Sequence, residues 1–248
     1  MTSKPYPHAG GDGSLGGGLA ALRAKVARRV ALGLYSSRVS IGLRRDLSAA
    51  IDPPSAKIPV RLRDFRPDDL RDLFPPDDGA AAEGERADVA WRLRAAAYGT
   101  LPSCCYVLVD GNSGRPCHIQ WLTGPGYGDA IRRSGALPEL ADDEAMLENA
   151  YTPAGFRGLG IMSAAVHLIA ERAKASGKRQ VLAFVDADNI ASLKAVERAG
   201  LAPWSVRTRR QFGFGIVRTV RFEPIAAAAV SDTVPLSHAT DGPRPGTG

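Results

Sequence analysis

Tyr151-Thr152-Pro153-Ala154-Gly155-Phe156-Arg157-Gly158-Leu159-Gly160-Ile161-Met162-Ser163-Ala164 is the stretch that decides the fold. Ala145 to Tyr151 reads as a strand and Gly158 to Ser176 as a helix, so the segment is a strand-to-helix turn. Two glycines two residues apart, Gly158 and Gly160, let the chain turn tightly into that helix. The first amide N–H groups of a helix lack intrahelical partners and converge on one point. The helix dipole adds partial positive charge there and Arg157 a full one, so an anion such as a diphosphate is the natural ligand. The Lys-Ser/Thr pair of a nucleotide P-loop and the third glycine of a dinucleotide fingerprint are both missing, which turns the reading away from those two sites.

A second signature follows the next strand, Arg179 to Val185. In Asp188-Asn189-Ile190-Ala191-Ser192 and onward to Gly200-Leu201, Asn189 is placed to cap a helix that ends at Gly200. Either motif alone is what an ordinary βαβα unit with well-capped helices would carry. In order and at this spacing they resemble the GNAT acyltransferases: Arg157-Gly158-Leu159-Gly160-Ile161 looks like that family's R-G-x-G-I, and Asn189, Ser192 and Gly200-Leu201 like its N-x-x-A/S with a terminal G-F.

The resemblance implies an α/β fold with a GNAT-like, mixed and mostly antiparallel central sheet of six or seven strands flanked by helices. It implies acetyl-CoA, or another acyl-CoA, as co-substrate, with no metal required. The pyrophosphate would rest on the amides of Gly158, Leu159, Gly160, Ile161 and Met162, flanked by Arg157, and the pantetheine would run along Ala150 and Tyr151. Asn189 and Ser192 would complete the donor site. The strand ending at Tyr151 would splay from its neighbour near Phe184, and an amine of the acceptor would attack the thioester directly in the gap, helped by a base and by a proton donor to the thiolate. Glu148 and Asp186 lie near that splay and are the candidate bases, although strand-edge carboxylates are more often solvated or salt-bridged. Two positions depart from the family pattern: Val196 replaces a tyrosine that serves as proton donor in many relatives, and Met162 replaces a small residue. A CoA-ester-binding protein with little or no turnover is therefore the alternative function.

Working outward, Cys105 to Val109 and His118 to Leu122 read as a hairpin around Asp110-Gly111-Asn112-Ser113-Gly114. Arg66-Pro67-Asp68-Asp69 starts a short helix toward Leu73, a loop runs from Pro75 to Glu85, and a second helix runs from Glu85 to Tyr98. Pro203 to Arg209 and Phe212 to Phe222 are the last strand candidates. His118 and His167 sit in apolar text where packing is the default role, and Tyr106 and Tyr151 are anchors before they are proton donors.

Domain organisation follows from composition. Residues 1–18 and 225–248, rich in Gly, Pro, Ser and Thr, read as disordered tails, and residues 56–224 as the acyltransferase domain. Between them, residues 19–55 read as an extension: a basic amphipathic helix on Leu19, Leu22, Val26, Val30 and Leu34, then a short strand at Ser37 to Leu43. Gly13 to Arg45 holds seven Lys/Arg and no carboxylate, so most of the +6 net charge is local. Peripheral contact of residues 19–45 with an anionic membrane or polymer is one use of it; a solvated basic face is the other. Nucleic acid is not an expected partner, because neither interleaved aromatics nor a recognition helix accompanies the charge. Three cysteines, Cys104, Cys105 and Cys117, two of them adjacent and none in C-x-x-C spacing, indicate neither a disulfide framework nor a zinc site. With no apolar run long enough to span a bilayer, a cytoplasmic location is expected.

Overall fold

The computed structural model describes residues 33–74, 79–97, 103–126, 135, 137–214 and 216–225. The two tails, apart from Ile225, and the basic helix expected at residues 19–34, apart from its last two residues, lie outside them. Chain order gives β1 (Tyr35–Asp46), β2 (Val60–Asp64), α1 (Asp69–Leu73), α2 (Gly79–Ala97), β3 (Ser103–Asp110), β4 (Pro116–Thr123), β5 (Glu144–Tyr151), α3 (Ile161–Ala175), β6 (Gln180–Asp186), α4 (Ile190–Arg198), β7 (Ala202–Phe212) and β8 (Val217–Pro224).

These eight strands form one sheet in the order β2-β3-β4-β5-β6-β1-β7-β8. Only β5 and β6 run parallel, joined by the α3 crossover, and every other neighbouring pair is antiparallel. The fold is thus mixed α/β with a mostly antiparallel sheet, as expected, carrying one strand more than the six or seven read from sequence.

That extra strand explains itself. The strand read at Ser37 to Leu43 lies inside the sheet, between β6 and β7, rather than on an extension beside it. Its alternation has period two: Ile41, Leu43 and Arg45 face the helical layer, while Arg38, Ser40 and Gly42 face the other way. Gly42 is required by close packing, since a Cβ there would stand 2.3 Å from Ser205 Oγ and 2.8 Å from the Phe184 ring. Arg45, counted above with an exposed basic segment, is buried and forms an ion pair with Glu171 at 3.1 Å.

The main core lies between the sheet and the pair α3 and α4, where Leu43, Leu47, Leu147, Val166, Ile169, Val181, Val196 and Leu201 pack together. A second core fills the opposite face over β3, β4 and β5: Leu73, Phe74 and Val89 from α1, its C-terminal flank and α2 meet Val107, Ile119, Trp121 and Tyr151. α2 begins at Gly79, so part of the expected Pro75 to Glu85 loop is helical. The short α1 is held by Asp69, which takes both guanidinium nitrogens of Arg63 at 2.6 and 2.7 Å and the amide of Arg66 at 2.7 Å. The last two strands form a hairpin whose first strand runs to Phe212, a few residues beyond the break expected near Arg210.

Candidate active site at the split of the sheet

Pairing between β5 and β6 runs from Glu144 opposite Gln180 to Leu147 opposite Ala183 and stops there. Beyond that point the strands diverge, which opens the sheet beside Glu148 and Phe184. The cause is local. Asn149 sits in the left-handed region at φ 52°, and the β4 to β5 register shifts across it, with Trp121 opposite Glu148 and Ile119 opposite Tyr151. One extra residue in β5 is a bulge, which bends the strand away from its neighbour.

The chain leaving the splayed end of β5 turns into α3. Gly158 and Gly160 both have φ of 75°, a conformation that side chains resist, and Gly160 sits at the helix N-cap. A Cβ on Gly160 would also meet the Ser55 carbonyl at 3.0 Å. These positive angles delay the helix to Ile161, three residues after the expected start. The first amide of the α3 ladder is Ala164, which donates to Gly160 O at 3.2 Å. The amides of Ile161, Met162 and Ser163 precede it and are directed at the end of the helix.

They open onto a cavity of about 570 Å³. From β5 come Ala150 and Tyr151; from the turn Thr152, Phe156, Arg157, Gly158 and Gly160; from α3 Ile161, Met162 and Ser163. α4 supplies Asn189, Ser192, Lys194 and Arg198 among others. Of the ten residues expected at the donor site, nine line this one cavity. Leu159 does not: it packs with Leu108, Cys117 and Ala165, while its carbonyl accepts the Lys57 amide at 2.8 Å. Lys194 and Arg198 were missed, although they lie three and seven residues after Ala191, which also lines the cavity, a helical spacing that sets all three on one side of α4.

Charge in the cavity is mostly positive. Arg157 is exposed, with Nε donating to the Thr152 carbonyl at 3.0 Å, and Lys194 and Arg198 stand on α4. Glu85 of α2 is the acidic member of the lining; burial and then Asp88 raise its pKa, while Arg157 opposes them. Asn189 Oδ1 accepts the Ser192 amide at 3.1 Å, which fixes the start of α4. The wall behind the turn contains His118, fully buried, whose ring nitrogens lie 2.8 Å from Thr152 Oγ1 and 3.3 Å from Gln120 Oε1. Burial pushes its pKa down to about 4, so the ring is neutral at pH 7.

Both candidate bases border the split, and both have partners. Glu148 forms a close ion pair with the buried Arg92 of α2, whose Nη2 also donates to Thr123 Oγ1 at 3.0 Å. Asp186 accepts a hydrogen bond from Ser40 at 2.8 Å and pairs with Arg38 at 3.3 Å. Val196, at the position where the resemblance expects a tyrosine, is buried in the main core, so that side of α4 brings no phenol to the cavity. Cys105 and Cys117 are raised by burial well above the usual thiol range, Cys117 to about 12, so neither is a thiolate at neutral pH. Among the described residues no helix is long and apolar enough to cross a membrane.

No curated protein matches this sequence. Among solved structures, it is similar to a Drosophila protein (15% identity, TM-score 0.43, covering 80% of this chain and 58% of that one). It is also similar to a GCN5-related N-acetyltransferase from Sphaerobacter thermophilus (16%, 0.45, covering 78% and 56%). A structure of AAC(6')-Ib in complex with paromomycin and acetyl-CoA matches at 15% and 0.46, covering 74% and 99%. The chain thus spans 58% and 56% of the length of the first two. Residues 118–201, from within β4 to just past the end of α4, match the Acetyltransferase (GNAT) family.

Proposed function

We propose that this chain is an N-acyltransferase that moves an acetyl group from acetyl-CoA to an amine. The observation that carries the reading is the convergence of three unpaired α3 amides and three cationic side chains, Arg157, Lys194 and Arg198, on one cavity beside the split between β5 and β6. Amides at a helix N-terminus and flanking cations suit a pyrophosphate and a phosphate monoester. Past Leu147 β5 has no ladder to β6, and that edge at Ala150 suits an amide-bearing pantetheine arm, which can pair with it as another strand would.

In this reading the thioester lies in the split. The amine nitrogen attacks the carbonyl carbon, the C–N bond forms and the C–S bond breaks. Coenzyme A leaves as a thiolate that takes up a proton, while the nitrogen gives one to a base. Glu148 and Asp186 flank the gap as the carboxylates for that second transfer, and water supplies the first in the absence of a phenol at position 196. A CoA-ester-binding protein with little turnover is the competing reading, favoured by the buried Val196 and by the ion pair that occupies Glu148.

Calorimetric titration with acetyl-CoA and with free CoA tests the donor site that both readings share. Wild type should bind both, and Lys194→Glu with Arg198→Glu, two exposed changes that leave the core untouched, should weaken both by about tenfold or more. Binding that ignores the charge reversal would remove the cavity from consideration as the donor site. Thiol release over many turnovers with any amine would then dismiss the binding-only reading.

A further inference from the structure

Beyond the split, the sheet face opposite α3 and α4 carries a block of arginines that donor binding does not use. Register sets them side by side. Asp186 of β6 lies opposite Ser40 of β1, Ser40 opposite Arg207 of β7, and Arg207 opposite Phe222 of β8. Two residues along, Arg38 lies opposite Arg209, and Gln211 is opposite Arg218 in the row after that. Because side chains two apart along a strand share a face, Arg38, Arg207, Arg209 and Arg218 project together.

Four guanidinium groups meet one carboxylate. Asp186 takes Arg38 at 3.3 Å and the Ser40 hydroxyl at 2.8 Å, and Arg207 Nη2 donates to that same hydroxyl at 3.0 Å. Among the described residues Arg207, Arg209 and Arg218 have no ion pair. The other carboxylate that acts on Arg207, Glu148, is held by Arg92. Like charges at neighbouring cross-strand positions destabilise a sheet. Burial and then Arg209 lower the Arg207 pKa to about 10, with Asp186 and Glu148 acting the other way; burial and then Arg218 lower Arg209. Inside the same block Arg207 Nε, Ser205 Oγ and Gln211 Oε1 are buried without a hydrogen-bond partner, although Arg207 and Gln211 are each only 9% exposed. A folded chain satisfies buried polar groups, and an unbalanced, partly desolvated cluster of cations is a site for an anion.

Its position says which anion. The Arg207 guanidinium lies 4.8 Å from the centre of the Phe184 ring, and Phe184 is the first residue of β6 past the last paired position. Phe222 meets the same ring edge-on at 5.5 Å. The arginines therefore begin at the lip of the gap where the acceptor amine must enter, on the side away from α3. Resting on the acyl-transfer reading above, we infer that the acceptor is an amine that also carries an acid group, a carboxylate or a phosphate monoester, held by Arg207, Arg209 and Arg218 while its nitrogen reaches the thioester.

Matched probes test this without knowing the natural acceptor. β-Alanine is set against β-alanine amide, and O-phosphoethanolamine against ethanolamine, each titrated calorimetrically with and without saturating CoA and then assayed for thiol release from acetyl-CoA. The expected result is that the acid member of at least one pair binds and reacts about tenfold or more better than its neutral partner, and which pair does so identifies carboxylate or phosphate. Arg209→Gln with Arg218→Gln should remove that preference through KM, while acetyl-CoA affinity reports that the fold and the donor site remain. Equal binding of acid and neutral members, or a preference that survives both substitutions, overturns the inference and leaves the donor reading standing. Loss of acetyl-CoA binding in the wild type would instead be failure of the donor reading, and anion binding by the arginines would still be scored by the same titrations.

Discussion

His118 illustrates how one buried side chain ties the donor cavity to the core. Its imidazole is enclosed in β4 and bonded to Thr152, the residue whose carbonyl orients Arg157. Desolvation, only partly offset by the bond to Gln120, holds its pKa near 4 against about 6.5 in an unfolded chain. Between those values the unfolded chain takes up a proton that the native ring refuses. The associated stability is fully present above about pH 6.5 and falls as the pH drops toward 4, by about 3 kcal/mol in all. His118→Gln keeps a group able to bond Thr152 but cannot titrate. Urea unfolding at a series of pH values should show the variant about 1 kcal/mol less stable than wild type at pH 7.5, with the gap closing and then reversing toward pH 4. Parallel curves would mean that the ring takes up its proton as readily in the folded protein as in the unfolded chain.

At the scale of elements, α3 and α4 owe their placement to short-range chemistry. Asn189 plays two parts, capping α4 through Ser192 and lining the cavity, and the two separate by substitution. Asn189→Ala removes the cap and should cost about 1 kcal/mol of stability. Asn189→Asp keeps an oxygen for the Ser192 amide and favours the helix dipole, so stability should hold, yet it sets a negative charge in the cavity proposed above to receive phosphates. Thermal unfolding and acetyl-CoA titration of the pair should therefore part company: Ala loses stability with a small effect on affinity, Asp loses affinity with stability kept. If both substitutions lower affinity equally, Asn189 contacts the donor through its amide nitrogen.

The same locality explains what sequence could say. Gly158, Gly160 and Asn189 act on the few residues around them, so their turn and cap were legible from spacing, while the set of residues lining the cavity came from the family resemblance. β1 was not placed, because its neighbours β6 and β7 lie about 140 to 170 residues away along the chain and nothing in its own alternation names them. The arginine block was invisible for a related reason: Arg38, Arg207, Arg209 and Arg218 are scattered over three strands, and only register assembles them. Glu148 and Asp186 were found at the gap, but their partners Arg92 and Ser40 come from distant elements and could not be read.

For the whole molecule, the sheet is a partition with one opening. The amide cradle, Arg157 and the α4 cations stand at the end of α3, whereas the arginine block occupies the face away from it, beyond Phe184. Donor and acceptor approaching from those two sides can meet only where β5 and β6 part, and neither needs the other to leave first. On the proposed acyl-transfer reading, direct transfer within a ternary complex is the consequence. Relay through the protein would need a nucleophile at the gap, and the candidates fail on chemistry: Cys105 packs half-buried with the second core and its thiol is held protonated, while Glu148 is bound to Arg92. Initial velocities measured at several fixed concentrations of each substrate should therefore give intersecting double-reciprocal lines, and enzyme incubated with acetyl-CoA alone should release no stoichiometric burst of thiol. Parallel lines with such a burst would require an acylated residue, and the split in the sheet would then be a shared site visited in turn rather than a meeting point.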